Sequence, residues 1–352
     1  MSKIKVLIVD DSPFVLKALF RIFESEPSIE VVGIARCGKE AIEKVITLEP
    51  DVITLDIMMP EMDGIETLKT IMETRPTPVL MLSHYTHKDA ELTLNALDFG
   101  AMDFVDKSTA GLMDFFGLAG EIISKVKTIA GRKPLKIAAQ DNEDKPSVLP
   151  LVKGGFKGRG VIDIVAIGTS TGGPPALQML LPRFPMDISF GVLIVQHMPY
   201  GFTGPLAKRL NTMCQIRVKE AGEGDRIEAG LALVAPSGIH MTVKKRDSKP
   251  GVQGEIKLDI EPLSALHKPS VDVLFQSVAE SYGNRSIGVI LTGMGSDGVK
   301  GLRLIKEQGG ITFAQDEATS TIFGMPKVAI ENGVVDKVVP ITSMAEEIMK
   351  TV

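Results

Sequence analysis

The stretch at residues 52–64 reads VITLDIMMPEMDG, and it joins a short apolar segment to an acidic residue. Val52–Leu55 has the length and composition of a strand in a parallel sheet that is covered on both faces. Asp56 follows at the point where that strand should end. Because ligands of open α/β sheets bind at the carboxyl ends of the strands, Asp56 is a candidate functional residue.

The same alternation continues on both sides of this stretch. Helical patterns such as Pro13–Glu24 and Lys39–Leu48 separate short apolar segments. Five such repeats predict a doubly wound (βα)5 domain with a parallel sheet. The predicted strands are Lys5–Val9, Val31–Ala35, Val52–Leu55, Val79–Leu82 and Met102–Val105.

Polar residues gather at the predicted carboxyl ends of these strands. Asp10 and Asp11 end the first strand, Ser83 ends the fourth and Lys107 follows the fifth. Any one acid could be a helix cap or a solvated loop residue, but the set favours a site. Clustered carboxylates attract a hard cation such as Mg²⁺, which neutralises charge during phosphoryl transfer. Lys107 would pair with a phosphoryl oxygen, and Ser83 would donate a hydrogen bond to another.

Residues 3–125 therefore resemble the receiver domain of bacterial response regulators. The resemblance implies that Asp56 accepts phosphate from a histidine kinase. It implies that Asp11 and Asp56 bind Mg²⁺ together with the Met58 carbonyl, while Asp10 acts mostly through water. It also places Phe104 at the aromatic switch position. The matching pieces are Val9–Ser12, Leu55–Gly64, Ser83 and Lys107.

Length, hydrophobic content and net charge indicate a globular protein of more than one domain. The chain has 352 residues, which suggests two or three domains, and 44% of them are hydrophobic, enough for two separate cores. The net charge of −5 does not favour a nucleic-acid partner. No signal peptide and no bilayer-length apolar run is evident, so we expect a cytoplasmic protein without direct membrane insertion.

A change of composition divides the chain. The stretch from Gly131 to Gly160 is rich in Pro, Gly and polar residues and lacks periodicity, which is typical of a linker. The predicted domains are residues 1–125, a linker at 126–159, and a second domain at 160–352. Apolar strands recur from Val161, which predicts a second, mostly parallel α/β domain. The Gly- and Pro-punctuated region Asp225–Glu261 predicts an insert of antiparallel hairpins.

Residues 167–175 of the second domain read IGTSTGGPP, between a predicted strand and a predicted helix. The glycines permit a tight turn that lifts the Ser170 hydroxyl above the sheet, with helix N–H groups nearby to stabilise an oxyanion. Taken alone, this motif could also be a phosphate-binding or purely structural turn. A dinucleotide loop is disfavoured, because His197 rather than an acid ends the next strand.

His197 and Asp297 follow two further predicted strands, Phe190–Gln196 and Ile287–Leu291. A lone histidine is more often structural, and an aspartate there could cap a helix. Ser, His and Asp at the crest of one sheet nevertheless suit a nucleophile, its base and the group that orients the base. His240 and His267 remain rival bases.

Residues 160–350 resemble the catalytic domain of the CheB family of chemotaxis methylesterases. The resemblance implies that Ser170 is the nucleophile, His197 the general base and Asp297 its orienter, with backbone groups near Thr171 and Met294 as oxyanion candidates. The matching motifs are Gly168–Gly173, Gln196–Pro199, Phe202–Thr203, Pro269–Phe275 and Thr292–Gly298.

The family resemblance also implies a function in bacterial chemotaxis. The substrates would be glutamate γ-methyl esters and certain glutamines on chemoreceptors, and a histidine kinase would supply the phosphate. In the family the unphosphorylated receiver covers the esterase cleft, and phosphorylation frees it. The resemblance implies Mg²⁺ for receiver phosphorylation and no cofactor for the esterase, and we expect a monomer.

Three other functions are compatible with parts of the pattern. A receiver-controlled transcription regulator would need a basic helix-turn-helix output, and the second domain is too large and not notably basic. A serine hydrolase of small esters would share the same three residues. A scaffold with an inactive cleft would not need Ser170, His197 and Asp297 together.

Overall fold

A computed structural model describes residues 2–83, 87–107, 115–132, 162–244 and 254–352. The chain forms two compact units, residues 1–139 and residues 140–352, and each is described by itself.

The first unit contains a parallel five-stranded sheet. Its strands are β1 (Ile4–Val9), β2 (Ile29–Ala35), β3 (Val52–Asp56), β4 (Val79–Ser83) and β5 (Asp103–Asp106). Their spatial order is β2-β1-β3-β4-β5. Strand β2 is added on one side of β1 and the later strands on the other, so the order of strand addition reverses between β1 and β3. The predicted doubly wound fold is confirmed. Both Asp10 and Asp56 lie at this reversal, where open α/β sheets bind ligands.

Five α-helices lie in the described residues of this unit. They are α1 (Pro13–Glu24), α2 (Gly38–Leu48), α3 (Gly64–Thr74), α4 (His87–Asp98) and α5 (Ala119–Ile129). Helix α5 buries the apolar face formed by Ile122, Val126 and Ile129. The predicted linker start at residue 126 therefore falls inside a packed helix, and the first unit continues beyond residue 125. Most of the predicted linker, including residues 133–159, lies outside the described residues.

The second unit contains a parallel seven-stranded sheet in the order β14-β13-β12-β6-β7-β9-β8. The first strand of the unit is central, and later strands are added on both sides of it. Its strands are β6 (Ile164–Thr169), β7 (Gly191–Gln196), β8 (Arg217–Glu220), β9 (Leu231–Val234), β12 (Ser286–Ile290), β13 (Ile311–Gln315) and β14 (Lys337–Val339).

Helices cover this sheet, and all residues of β6, β7 and β12 are buried. Burial on both faces explains why these strands are almost continuously apolar. The helices are α6 (Gly173–Leu180), α7 (Thr203–Met213), α8 (Val271–Tyr282), α9 (Val299–Glu307), α10 (Met325–Glu331) and α11 (Ile341–Met349).

The predicted hairpin insert is only partly correct. Strands β10 (His240–Lys244) and β11 (Glu255–Asp259) form a separate antiparallel pair. Strand β9, which lies in the same predicted region, instead joins the main sheet in parallel between β7 and β8. All four of its side chains are buried, which suits an interior strand of a parallel sheet.

No helix in the described parts of the chain combines the length and the apolar character needed to cross a bilayer.

Candidate active site and phosphorylation pocket

The turn between β6 and α6 carries Ser170. Gly172 adopts φ +76°, and a Cβ there would lie far inside contact distance of Thr321. A Cβ on Gly173 would collide with Oε1 of Gln196. Both positions therefore require glycine, and the turn stays tight enough to hold Ser170, which is half-buried, above the end of the strand.

Gln196, which sequence reasoning assigned no role, joins two turns of the site. It ends β7 and pairs in register with Thr169 at the end of β6. Its Nε2 donates to the carbonyl oxygens of Ser170 at 2.8 Å and His197 at 2.9 Å. One amide thus fixes the backbone of the predicted nucleophile and of the predicted base.

His197 and Asp297 lie in direct contact. Nε2 of His197 is 2.8 Å from Oδ2 of Asp297, and both side chains are largely buried. Burial alone would raise the pKa of Asp297. Hydrogen bonds from His197 and from the backbone N–H groups of Asp272 and Val271 outweigh it and lower the pKa to about 2. The carboxylate is therefore ionised and able to orient the imidazole.

The other ring nitrogen of His197, Nδ1, is not engaged by Asp297. Nδ1 is buried and makes no hydrogen bond to any described residue. Because Asp297 engages Nε2, Nδ1 is the nitrogen that could accept a proton from Ser170. Such bonds often form only when substrate is bound, so the nucleophile and base roles stay predictions.

The rival histidines lie nearby in different surroundings. The ring of His267 stacks on that of His197, with centroids 4.2 Å apart and an interplanar angle of 22°. Its pKa is lowered by burial and by the neighbouring His197. His240 is fully buried, and its Nδ1 accepts a hydrogen bond from the Ser270 N–H at 3.2 Å. The contact between His197 and Asp297 favours His197 as the base.

The loop after β12 runs directly against the serine turn. Ser170 N–H donates to the Thr292 carbonyl at 3.1 Å, and a Cβ on Gly293 would lie 2.8 Å from Cβ of Ser170. Thr171, which is buried, accepts a hydrogen bond at its carbonyl from the Thr292 hydroxyl at 2.9 Å. Met294 follows Gly293 in this loop. The oxyanion roles of Thr171 and Met294 stay predictions.

In the first unit, Lys107 bridges two acids. Its Nζ lies 2.9 Å from Oδ2 of Asp10 and 2.9 Å from Oδ1 of Asp56. All three side chains are buried. A buried lysine between two carboxylates is an arrangement that could rearrange to bind a phosphoryl group.

The acids of this pocket fit a divalent cation. One carboxylate oxygen from each of Asp10, Asp11 and Asp56 lies within 4.8 Å of the others, and Asp11 is exposed. Oxygen ligands in this number, with one side open to water, suit Mg²⁺. Met58 is 55% exposed on the loop after β3, and its carbonyl stays a predicted ligand.

The two remaining predicted switch residues are buried. The Ser83 hydroxyl lies 2.7 Å from the Thr93 hydroxyl, and the Ser83 carbonyl accepts from the Lys107 N–H at 2.6 Å. The Phe104 carbonyl accepts from Nζ of Lys125, which lies 5.7 Å from the Phe104 ring centroid. Their switch roles stay predictions.

Comparison with known proteins gives two family matches. Residues 165–348 match the CheB methylesterase family, and residues 6–112 match the response regulator receiver domain family.

Relatives match over almost the whole length. A protein-glutamate methylesterase/protein-glutamine glutaminase of Lawsonia intracellularis is 44% identical, covering 98% of this chain and 98% of the relative. One from Archaeoglobus fulgidus is 47% identical, covering 98% and 97%. Among solved structures, the Thermotoga maritima CheB methylesterase catalytic domain is 38% identical with a TM-score of 0.51, covering 54% of this chain and 98% of that domain.

Proposed function

The chain belongs to the CheB methylesterase family, and from that membership we propose how its residues carry out and control ester hydrolysis. Its activity is that of a protein-glutamate methylesterase/protein-glutamine glutaminase with a receiver domain. What we propose concerns the residues, the substrate protein, the phosphodonor and the metal.

Hydrolysis proceeds by acyl transfer to Ser170. His197 Nδ1 takes the hydroxyl proton as Ser170 Oγ attacks the γ-carbonyl carbon, and Asp297 stabilises the resulting imidazolium. The imidazolium returns the proton to the leaving methoxide, and methanol departs. Water, activated by the same imidazole, then hydrolyses the acyl-enzyme. With a glutamine side chain the leaving group is ammonia. The 2.8 Å contact between His197 and Asp297, beside the Ser170 turn, carries this proposal.

Backbone N–H groups near Thr171 and Met294 would stabilise the tetrahedral oxyanion. This proposal is supported by the position of the loop after β12 against the serine turn. No metal takes part in the ester chemistry that we propose.

Phosphorylation of Asp56 would control this activity. Asp10, Asp11 and Asp56, with the Met58 carbonyl, would hold Mg²⁺, which when bound neutralises charge on the transferring phosphoryl group. Lys107 would exchange its contact with Asp56 for a phosphoryl oxygen. Ser83 would donate to another oxygen and Phe104 would respond to the change.

We propose chemoreceptors as the substrate proteins and a chemotaxis histidine kinase as the phosphodonor. The proposed enzyme acts in the cytoplasm as a monomer, without inserting into the membrane or binding nucleic acid. The family membership and the pairing of receiver and esterase in one chain support this assignment.

The test compares methanol release from a methyl-esterified chemoreceptor fragment and from a small methyl ester, with and without acetyl phosphate and Mg²⁺. We expect hydrolysis of the receptor fragment that rises with the phosphodonor, and no rise in the Asp56→Asn variant. Faster hydrolysis of the small ester at equal concentration, with no response to the phosphodonor, would favour a general esterase instead.

A further inference from the structure

Ser270 stands immediately before α8 and faces the predicted orienting carboxylate. Its hydroxyl donates to Oδ1 of Asp297 at 2.9 Å. The first two N–H groups of α8 join it, because Val271 N donates to Oδ2 at 2.7 Å and Asp272 N to Oδ1 at 3.0 Å. We propose that Ser270 is a positioning residue of the esterase, which holds Asp297 in the orientation that His197 requires.

The distribution of donors over the two carboxylate oxygens supports this role. Oδ1 of Asp297 accepts hydrogen bonds from the Ser270 hydroxyl and the Asp272 N–H. Oδ2 is left to face His197 Nε2, with Val271 as its second donor. Charge-assisted hydrogen bonds of this kind fix an ionised carboxylate more firmly than neutral ones would. The positive end of the helix adds to the stabilisation.

Helix capping alone does not account for the position of the Ser270 hydroxyl. As an N-cap it accepts from Val273 N at 3.4 Å, which is longer than its 2.9 Å bond to Asp297. The backbone of Ser270 is also anchored, because its N–H donates to Nδ1 of the buried His240 at 3.2 Å. Ser270 therefore links a fixed buried group to the carboxylate.

A fixed Asp297 has one consequence for the chemistry. It keeps the Nε2 proton of His197 directed at the carboxylate, so Nδ1 stays unprotonated and available to Ser170. If the carboxylate rotated, the imidazole would lose both its orientation and its preferred tautomer. Losing Ser270 should therefore reduce the chemical step rather than substrate binding.

The first test measures kcat and KM for methanol release in full-length Ser270→Ala, Ser270→Gly and Ser270→Thr. We expect both Ala and Gly to lower kcat about tenfold with KM unchanged, since a hydrogen bond to a charged group is lost. Glycine caps helices better than alanine, so the two variants should differ in thermal stability while sharing the same kcat. Threonine keeps the hydroxyl and should restore most of the rate.

The second test asks whether Ser270 acts through Asp297, an inference that rests on the proposed function. In the Asp297→Ala background, adding Ser270→Ala should cause no further loss of the residual rate. Ser281→Ala, on the same helix, is the control and should keep wild-type kcat. A wild-type kcat in Ser270→Ala, or losses that multiply in the double variant, would overturn the role of Ser270. Full activity of Asp297→Ala itself would instead overturn the proposed function.

Discussion

Single side chains hold the candidate active site together, and Gln196 is one of them. Its amide donates to the carbonyls of both Ser170 and His197. Gln196→Glu keeps the shape of the side chain but replaces two donors by an acceptor that faces two carbonyls. We expect kcat for methanol release to fall about 10- to 100-fold. Gln308→Glu, at an exposed position, should have no effect. Wild-type kcat in Gln196→Glu would show that the two turns hold their positions without it.

The stacked histidines His197 and His267 differ in their contact with Asp297. Only His197 of the pair hydrogen-bonds to Asp297 among the described residues, while His267 covers its ring. His197→Ala should reduce kcat by about 10³-fold or more. His267→Phe keeps a stacking ring and removes its ionisable group, so kcat should stay within about threefold of wild type. The opposite ranking would make His267 the base.

At the scale of elements, the turn between β3 and α3 depends on a close approach of two backbone segments. A Cβ on Gly64 would collide with the carbonyl oxygen of Asp56. Gly64→Ala should therefore lower the free energy of unfolding of the first unit by about 2–4 kcal/mol and impair phosphorylation of Asp56.

The control for this turn is Gly120→Ala in α5, where a Cβ meets nothing within 4 Å. This variant should leave phosphorylation of Asp56 unchanged, and its free energy of unfolding should be at least that of wild type. Chemical denaturation and acetyl phosphate labelling measure both effects. Normal stability and labelling of Gly64→Ala would contradict the account of this turn.

The sequence predicted most strands because burial on both faces leaves a short, nearly continuous apolar run. Strand β9 has the same kind of run, yet its neighbours along the chain suggested a hairpin. Pairing with β7 is a long-range contact that local pattern does not specify. The predicted linker start at residue 126 falls too early for a related reason, since Val126 and Ile129 are recognisable as core residues only once the sheet is present.

The candidate site was predictable where a motif marks it. Glycine-rich turns at strand ends indicated Ser170 and Asp297 as candidates, and clustered acids indicated a pocket around Asp56; the roles of these residues stay predictions. No local motif indicated the contacts of Gln196 and Ser270, because their partners Ser170 and Asp297 lie 26 and 27 positions away in the chain. Both stood inside motifs matched to the family, which was the available signal.

At the scale of the whole molecule, the chain joins a region that matches the receiver domain family to one that matches the methylesterase family, and this pairing suggests that the first controls the second. The Thermotoga maritima catalytic domain, 38% identical to this chain, was solved as a domain on its own. Removing residues 1–157 should therefore leave a folded esterase. If the unphosphorylated receiver restricts access to the cleft, basal methanol release should rise and lose its response to acetyl phosphate. An unchanged or lower basal rate would contradict simple occlusion.

The most direct measurement of the central claim is methanol release from a methyl-esterified chemoreceptor fragment by full-length wild type and Ser170→Ala, each with acetyl phosphate and Mg²⁺. Loss of the nucleophile should reduce kcat by at least about 10³-fold, while the two proteins unfold at the same temperature and are equally phosphorylated on Asp56. A folded, phosphorylated Ser170→Ala protein that still releases methanol at the wild-type rate would contradict it.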